Sequence, residues 1–136
     1  MSMSVRTILI VDDEPAQRQL MGGILRHEAY AVLEACDYAE ALAVDQRHHG
    51  EIDLVLIDLS LPGRNGYELF QALRAREPWL RVLFVSGNAG AALRRFFDEL
   101  ASDVHFLPKP FTPAELLEHV QSVLAAPDPS PGRTSV

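Results

Sequence analysis

Cysteine is nearly absent from this sequence. Cys36 stands alone among 136 residues, so no disulfide can close within the chain, and nothing points to an oxidising compartment. Cys36 reads as a small apolar residue. No apolar run approaches the roughly 20 residues that a bilayer-spanning helix requires. No basic segment leading into a long apolar stretch opens the chain, so no signal peptide is expected. Positive charge is also scarce, with 12 Lys and Arg against 19 Asp and Glu and a net charge of −7. That balance argues against non-specific binding to nucleic acid or a membrane surface. The expectation is a cytoplasmic protein without direct nucleic-acid or membrane contact. The scarcest basic residue is lysine: Lys109 is the only one, and every other basic side chain is arginine. A planar guanidinium does not mimic a compact, mobile ammonium. A lysine used once, between Pro108 and Pro110, marks a place where that ammonium matters.

What the chain does contain is a rhythm. Apolar runs at Thr7–Val11, Ala31–Glu34, Leu54–Ile57, Arg81–Val85 and Val104–Leu107 read as strands. Several are apolar without alternation, as expected of strands covered on both faces. Between them, Pro15–Glu28, Ala39–His48, Tyr67–Glu77, Ala91–Leu100 and Pro113–Leu124 read as helices. Pro15 suits a first helical turn. Asp37 with Glu40, Asn65 with Glu68 and Thr112 with Glu115 have the spacing of helix starts. Leu116, Leu117, Val120, Val123 and Leu124 form one apolar stripe. Five βα units in succession imply an α/β fold, a doubly wound parallel sheet with right-handed crossovers. At 136 residues one domain is expected, over residues 1–124. From residue 125 onwards, prolines and serines predict a disordered tail, 125–136.

In such sheets the site lies beyond the carboxyl ends of the strands, where strand order switches. Asp12 and Asp13 follow the first run, Asp58 and Ser86 end the third and fourth, and Lys109 follows the fifth. Three carboxylates in one crevice repel one another unless a cation sits among them. Oxygen donors suit Mg²⁺, which takes one or two carboxylates together with waters and phosphate oxygens. A carboxylate is also a nucleophile towards a phosphoryl group. Phosphoryl transfer then assigns the roles: Asp58 as nucleophile, Asp12 and Asp13 at the metal, Lys109 and the Ser86 hydroxyl on phosphoryl oxygens. The bland alternatives are a turn acid for Asp58, a helix cap for Ser86 and a plain strand residue for Phe106. His27, His48, His49, His105 and His119 lack metal-ligand spacing.

The segments Ile8-Leu-Ile-Val-Asp-Asp-Glu-Pro15, Asp58-Leu-Ser-Leu-Pro-Gly-Arg-Asn-Gly66, Val85-Ser-Gly87 and Leu107-Pro-Lys-Pro-Phe111 together resemble the receiver domains of two-component response regulators, over Thr7 to Leu124. The Leu107-Pro-Lys-Pro-Phe-Thr-Pro113 segment and the stretch after Ser86 are most similar to receivers attached to hybrid histidine kinases. The resemblance implies a flavodoxin-like (βα)5 fold with strand order 2-1-3-4-5. It implies that Asp58 accepts a phosphoryl group from a histidine kinase or phosphotransfer protein, and that Asp13 binds Mg²⁺ with Asp12 in support. Asp58 and the backbone carbonyl of Ser60 would complete the protein ligands. It further implies a cis Lys109–Pro110 peptide, a switch pair of Ser86 and Phe106, an unnamed downstream protein partner and phosphorylation-dependent homodimerisation. The chain would not be an enzyme beyond accepting and losing its own phosphoryl group. It departs from the family pattern at Phe106, which lacks a tyrosine hydroxyl, and at Ser86, where threonine is commoner. Ser60 and Asn88 fall where the family tunes phosphate loss.

Three other readings fit less well. A haloacid-dehalogenase-type phosphatase needs a second Asp two residues after its nucleophile, and here that residue is Ser60. A flavodoxin-like nucleotide binder would carry a G-x-G-x-x-G after the first strand, and none is present. An unphosphorylated interaction scaffold would have no need of the complete acidic set.

Overall fold

In the computed structural model, which describes residues 5–61, 65–87 and 104–127, the apolar runs form five strands. These are β1 (Thr7–Val11), β2 (Ala31–Ala35), β3 (Leu54–Asp58), β4 (Arg81–Ser86) and β5 (His105–Pro108). They pair in parallel in the order β2-β1-β3-β4-β5, as the resemblance implied. Described helices are α1 (Pro15–His27), α2 (Tyr38–Arg47), α3 (Gly66–Arg76) and α4 (Pro113–Ala125). The helix expected over 91–100, the phosphate-tuning position 88 and the chain from 128 onwards lie outside the described residues. Ala125, assigned to the tail from sequence, is the last residue of α4.

Successive strand side chains point to opposite faces of the sheet. Leu9, Val11, Val55, Ile57, Val82 and Phe84 therefore meet Ala41 and Val44 of α2 and Leu69 and Leu73 of α3. Their neighbours Ile8, Ile10, Leu54, Leu56, Leu83 and Val85 meet Met21 and Leu25 of α1 and Leu116, Val120 and Val123 of α4. Both faces are covered, which is why the central runs show no polar alternation. Each buried Val, Leu, Ile, Met or Phe among them contributes about 1.5–3 kcal/mol by leaving water. Cys36 lies outside both layers, exposed, so its packing role is not observed.

Local sequence fixes where the helices start, and hence where the loops around the site lie. Asp37 accepts the Glu40 N–H at 2.8 Å, while Glu40 reaches back to the Cys36 N–H. Asn65 with Glu68 and Thr112 with Glu115 form reciprocal capping boxes, each of which satisfies N–H groups that the helix leaves open.

Candidate functional site

The strand order reverses between β1 and β3, so their carboxyl ends border an open crevice. Asp12 follows β1. Its N–H donates to the Ala35 carbonyl at 3.1 Å, extending the pairing with β2. Its Oδ1 accepts the Glu14 N–H at 2.9 Å. Its Oδ2 is buried with no hydrogen-bond partner among the described residues. Asp13 is exposed at the crevice mouth. Asp58 ends β3 and is only 6% exposed. Its Oδ1 accepts the Ser60 N–H at 2.8 Å, and its Oδ2 accepts from Lys109 Nζ at 3.1 Å.

The sheet itself delivers that lysine. Ser86, buried at the end of β4, pairs in register with Pro108 of β5. The Lys109 N–H then donates to the Ser86 carbonyl at 2.7 Å. The Lys109–Pro110 peptide is cis, as the resemblance implied. Ser86 is one position past Val85, the residue paired with Asp58. Phe106 is buried, its ring stacked on Phe84 with centroids 5.7 Å apart. Ser60 is exposed beside Asp58.

One carboxylate oxygen each from Asp12, Asp13 and Asp58 lies within 4.8 Å of the others. Burial pushes the Asp12 carboxyl up from its ordinary value, and the negative charges of Asp58 and Asp13 push the same way. The Glu14 N–H and the Lys109 ammonium counter this only in part. The orphaned, buried Asp12 Oδ2 and the all-oxygen donor set fit a hard divalent cation. What the arrangement offers is a nucleophilic carboxylate, a fixed ammonium and an acidic pocket able to hold such a cation.

The model of the response regulator receiver domain matches residues 8–121. The chain belongs to that family. This receiver is 38% identical over 126 residues to the sensor kinase CckA of Brucella abortus, covering 90% of this chain and 13% of that protein. It is 32% identical over 123 residues to the aerobic respiration control protein ArcA of Escherichia coli, covering 90% of this chain and 50% of that one. The receiver therefore spans between about an eighth and a half of the length of these curated relatives. Among solved structures, the receiver domain of the hybrid histidine kinase CckA superposes with a TM-score of 0.72 at 34% identity, covering 87% of this chain and 98% of that chain. A CheY-like receiver from Methanospirillum hungatei gives 0.78 at 31%, covering 89% and 94%. No helix among the described residues is long and apolar enough to cross a membrane.

Two residues of the receiver's site were not singled out from sequence. A Cβ on Gly66 would come 2.8 Å from the Asp58 carbonyl oxygen and 3.0 Å from the Leu59 Cα. Only glycine lets α3 begin so close to the end of β3. Arg18, on α1, donates from Nη1 to the Asp12 carbonyl at 2.7 Å. The sequence signal for Gly66 was its place after the Asn65 cap. The signal for Arg18 was its spacing from Gly22 and Arg26 on one helical face.

Proposed function

We propose that Asp58 is the phosphoacceptor of this receiver, supplied by a histidine kinase or phosphotransfer protein. The observation that carries this is the burial of Asp58 at the end of β3, within hydrogen-bond reach of the one lysine and beside two further acids. An Asp58 carboxylate oxygen attacks phosphorus as the P–N bond of a phosphohistidine breaks, and the electron pair leaves with the imidazole, which takes up a proton. Lys109 stays with the phosphoryl oxygens, and Ser86 donates its hydroxyl to another of them. Mg²⁺ is the cation these donors suit: Asp13, Asp58 and the Ser60 carbonyl would hold it, with Asp12 in support. When bound, it supplies charge neutralisation to the phosphoryl oxygens. The chemistry is stoichiometric, the carboxylate gaining and losing its own phosphoryl group, and the setting is cytoplasmic.

The output runs through Ser86 and Phe106 to a downstream protein or a second copy. Because the Phe106 ring already packs against Phe84, phosphorylation shifts a population rather than creating a new pocket. In NMR with fluoroberyllate and Mg²⁺, shifts at Ser86 should spread to Phe106 and α4; silence there would remove this route. For the acceptor itself, acetyl phosphate with Mg²⁺ should label the protein and leave Asp58→Asn unlabelled. Equal labelling of the variant would overturn the assignment.

A further inference from the structure

Arg18, Gly22 and Arg26 recur at four-residue spacing on α1, and so share one face of the helix. That face lies against the edge strand β2, where Glu34 is the acidic residue between them. Glu34 Oε1 accepts from Arg18 Nε at 3.1 Å, and Oε2 accepts from Arg26 Nη2 at 3.0 Å. Gly22 makes room: a Cβ there would stand 3.1 Å from Arg26 Nη1 and 3.4 Å from Glu34 Oε2. The two arginines differ in what else they reach. Arg26 is half exposed, and its second contact is a long one to the Val32 carbonyl at 3.5 Å. Arg18 is 16% exposed, and its second contact is the short bond to the Asp12 carbonyl.

The Asp12 peptide groups are thereby held from two sides. Ala35 of β2 takes its N–H, and Arg18, itself fixed by Glu34 of β2, takes its carbonyl. The Glu14 N–H then occupies Oδ1, and Oδ2 is left buried without a partner among the described residues. Such a hold has a purpose. Three carboxylates this close repel one another before a cation arrives, and a hold on the Asp12 backbone opposes that repulsion.

We propose that Arg18 is a positioning residue for the metal-binding acids, a fork braced on Glu34 that fixes the Asp12 backbone and so aims the carboxylates of Asp12 and Asp13. The proposal rests on the Mg²⁺ assignment above. Residues that orient metal ligands typically change metal affinity by about 10- to 100-fold when removed. A lysine has a single ammonium, which cannot serve Glu34 and the carbonyl as a guanidinium fork does.

The test compares Arg18→Met, Arg18→Lys and Arg26→Met with the unsubstituted receiver by NMR, with no phosphodonor present. Arg26→Met removes a bond to the same Glu34 but touches nothing at Asp12, and so reports the cost of merely loosening α1 from β2. In metal-free protein, exchange of the Glu14 amide proton should quicken in Arg18→Met and keep its protection in Arg26→Met. On titration with Mg²⁺, Arg18→Met should bind about tenfold or more weakly, Arg18→Lys should fall between, and Arg26→Met should match the unsubstituted protein. Equal effects of Arg18→Met and Arg26→Met on both readouts would reduce Arg18 to structural glue and overturn the proposal. Absence of Mg²⁺-induced shifts at Asp12, Asp13 and Asp58 in the unsubstituted protein would overturn the metal assignment itself, and the proposal with it.

Discussion

Replacing Glu77 by Gln should stabilise the receiver, and the gain should grow with pH. Glu77 follows α3, and Asp45 lies on α2; both are fully buried at the end of the molecule away from Asp58. The Gly50 N–H donates to Glu77 Oε1 at 3.3 Å. Arg76 stands 3.6 Å from Asp45, and His49 Nδ1 stands 4.0 Å from Glu77 Oε2. Glu77 Oε2 and both Asp45 oxygens lack a standard partner among the described residues, which fits two carboxyl groups sharing one proton. Burial, then the hydrogen bond and charge of Asp45, push Glu77 from 4.5 to about 7. Below pH 4.5 the folded and unfolded chains both hold this proton, and its contribution to stability is intact. Between pH 4.5 and about 7 the unfolded chain has released it and the folded chain retains it, so stability falls as pH rises. Above about 7 the loss is complete, at about 3–4 kcal/mol, converting the interval at about 1.4 kcal/mol per decade of acidity. A glutamine does not titrate, can still donate to Asp45 and can still accept from Gly50. Urea unfolding of both proteins at pH 5 and pH 8 measures the difference. The advantage of Glu77→Gln should rise by about 2–3 kcal/mol between the two. A pH-independent difference would show that Glu77 is already ionised in the fold and that the shared proton does not exist.

The remaining predictions concern the site. Asp13→Ala should lose the Mg²⁺-dependent rise in Tm yet unfold in metal-free buffer at the same urea concentration or higher, because one repelling charge is gone. Marked metal-free destabilisation would make Asp13 a structural acid. Gly66→Ala should cost about 1–3 kcal/mol in urea unfolding, since its Cβ would meet backbone atoms that cannot swing aside. It should also slow labelling by acetyl phosphate; an unaffected variant would mean that α3 is free to retreat. Lys109→Arg should lower the labelling rate about tenfold or more despite keeping the charge, because a planar guanidinium does not reproduce the ammonium at Asp58. Full activity would make the single lysine incidental.

How much of this was legible in the sequence follows from the range of each interaction. Asp12, Asp58 and Ser86 stood out because each closes, or directly follows, an apolar run, and a parallel sheet brings such ends together. Helix starts were readable to within a residue because Asp37, Asn65 and Thr112 announce themselves over three residues. The small errors sit where pairing decides. Ala35 joins β2 because Val11 partners it, and β5 begins at His105, not Val104, because His105 pairs with Leu83. What stayed hidden depends on two distant residues meeting. Asp45 and Glu77 fall inside or at the end of expected helices with nothing local to mark them, and only the packing of α2 on α3 buries them together. Arg18 read as one of eleven arginines until β2 placed Glu34 beside it and β1 brought the Asp12 carbonyl within reach.

The central claim is that one carboxylate, Asp58, carries the phosphoryl group. Borohydride reduces an acyl phosphate to an alcohol, so it marks the acceptor permanently. The protein should be treated with acetyl phosphate and Mg²⁺, reduced, digested and sequenced by mass spectrometry. The account predicts homoserine at position 58 and at no other acid, with none formed when Mg²⁺ is withheld. Homoserine at position 12 or 13, or labelling that does not need the cation, would contradict it.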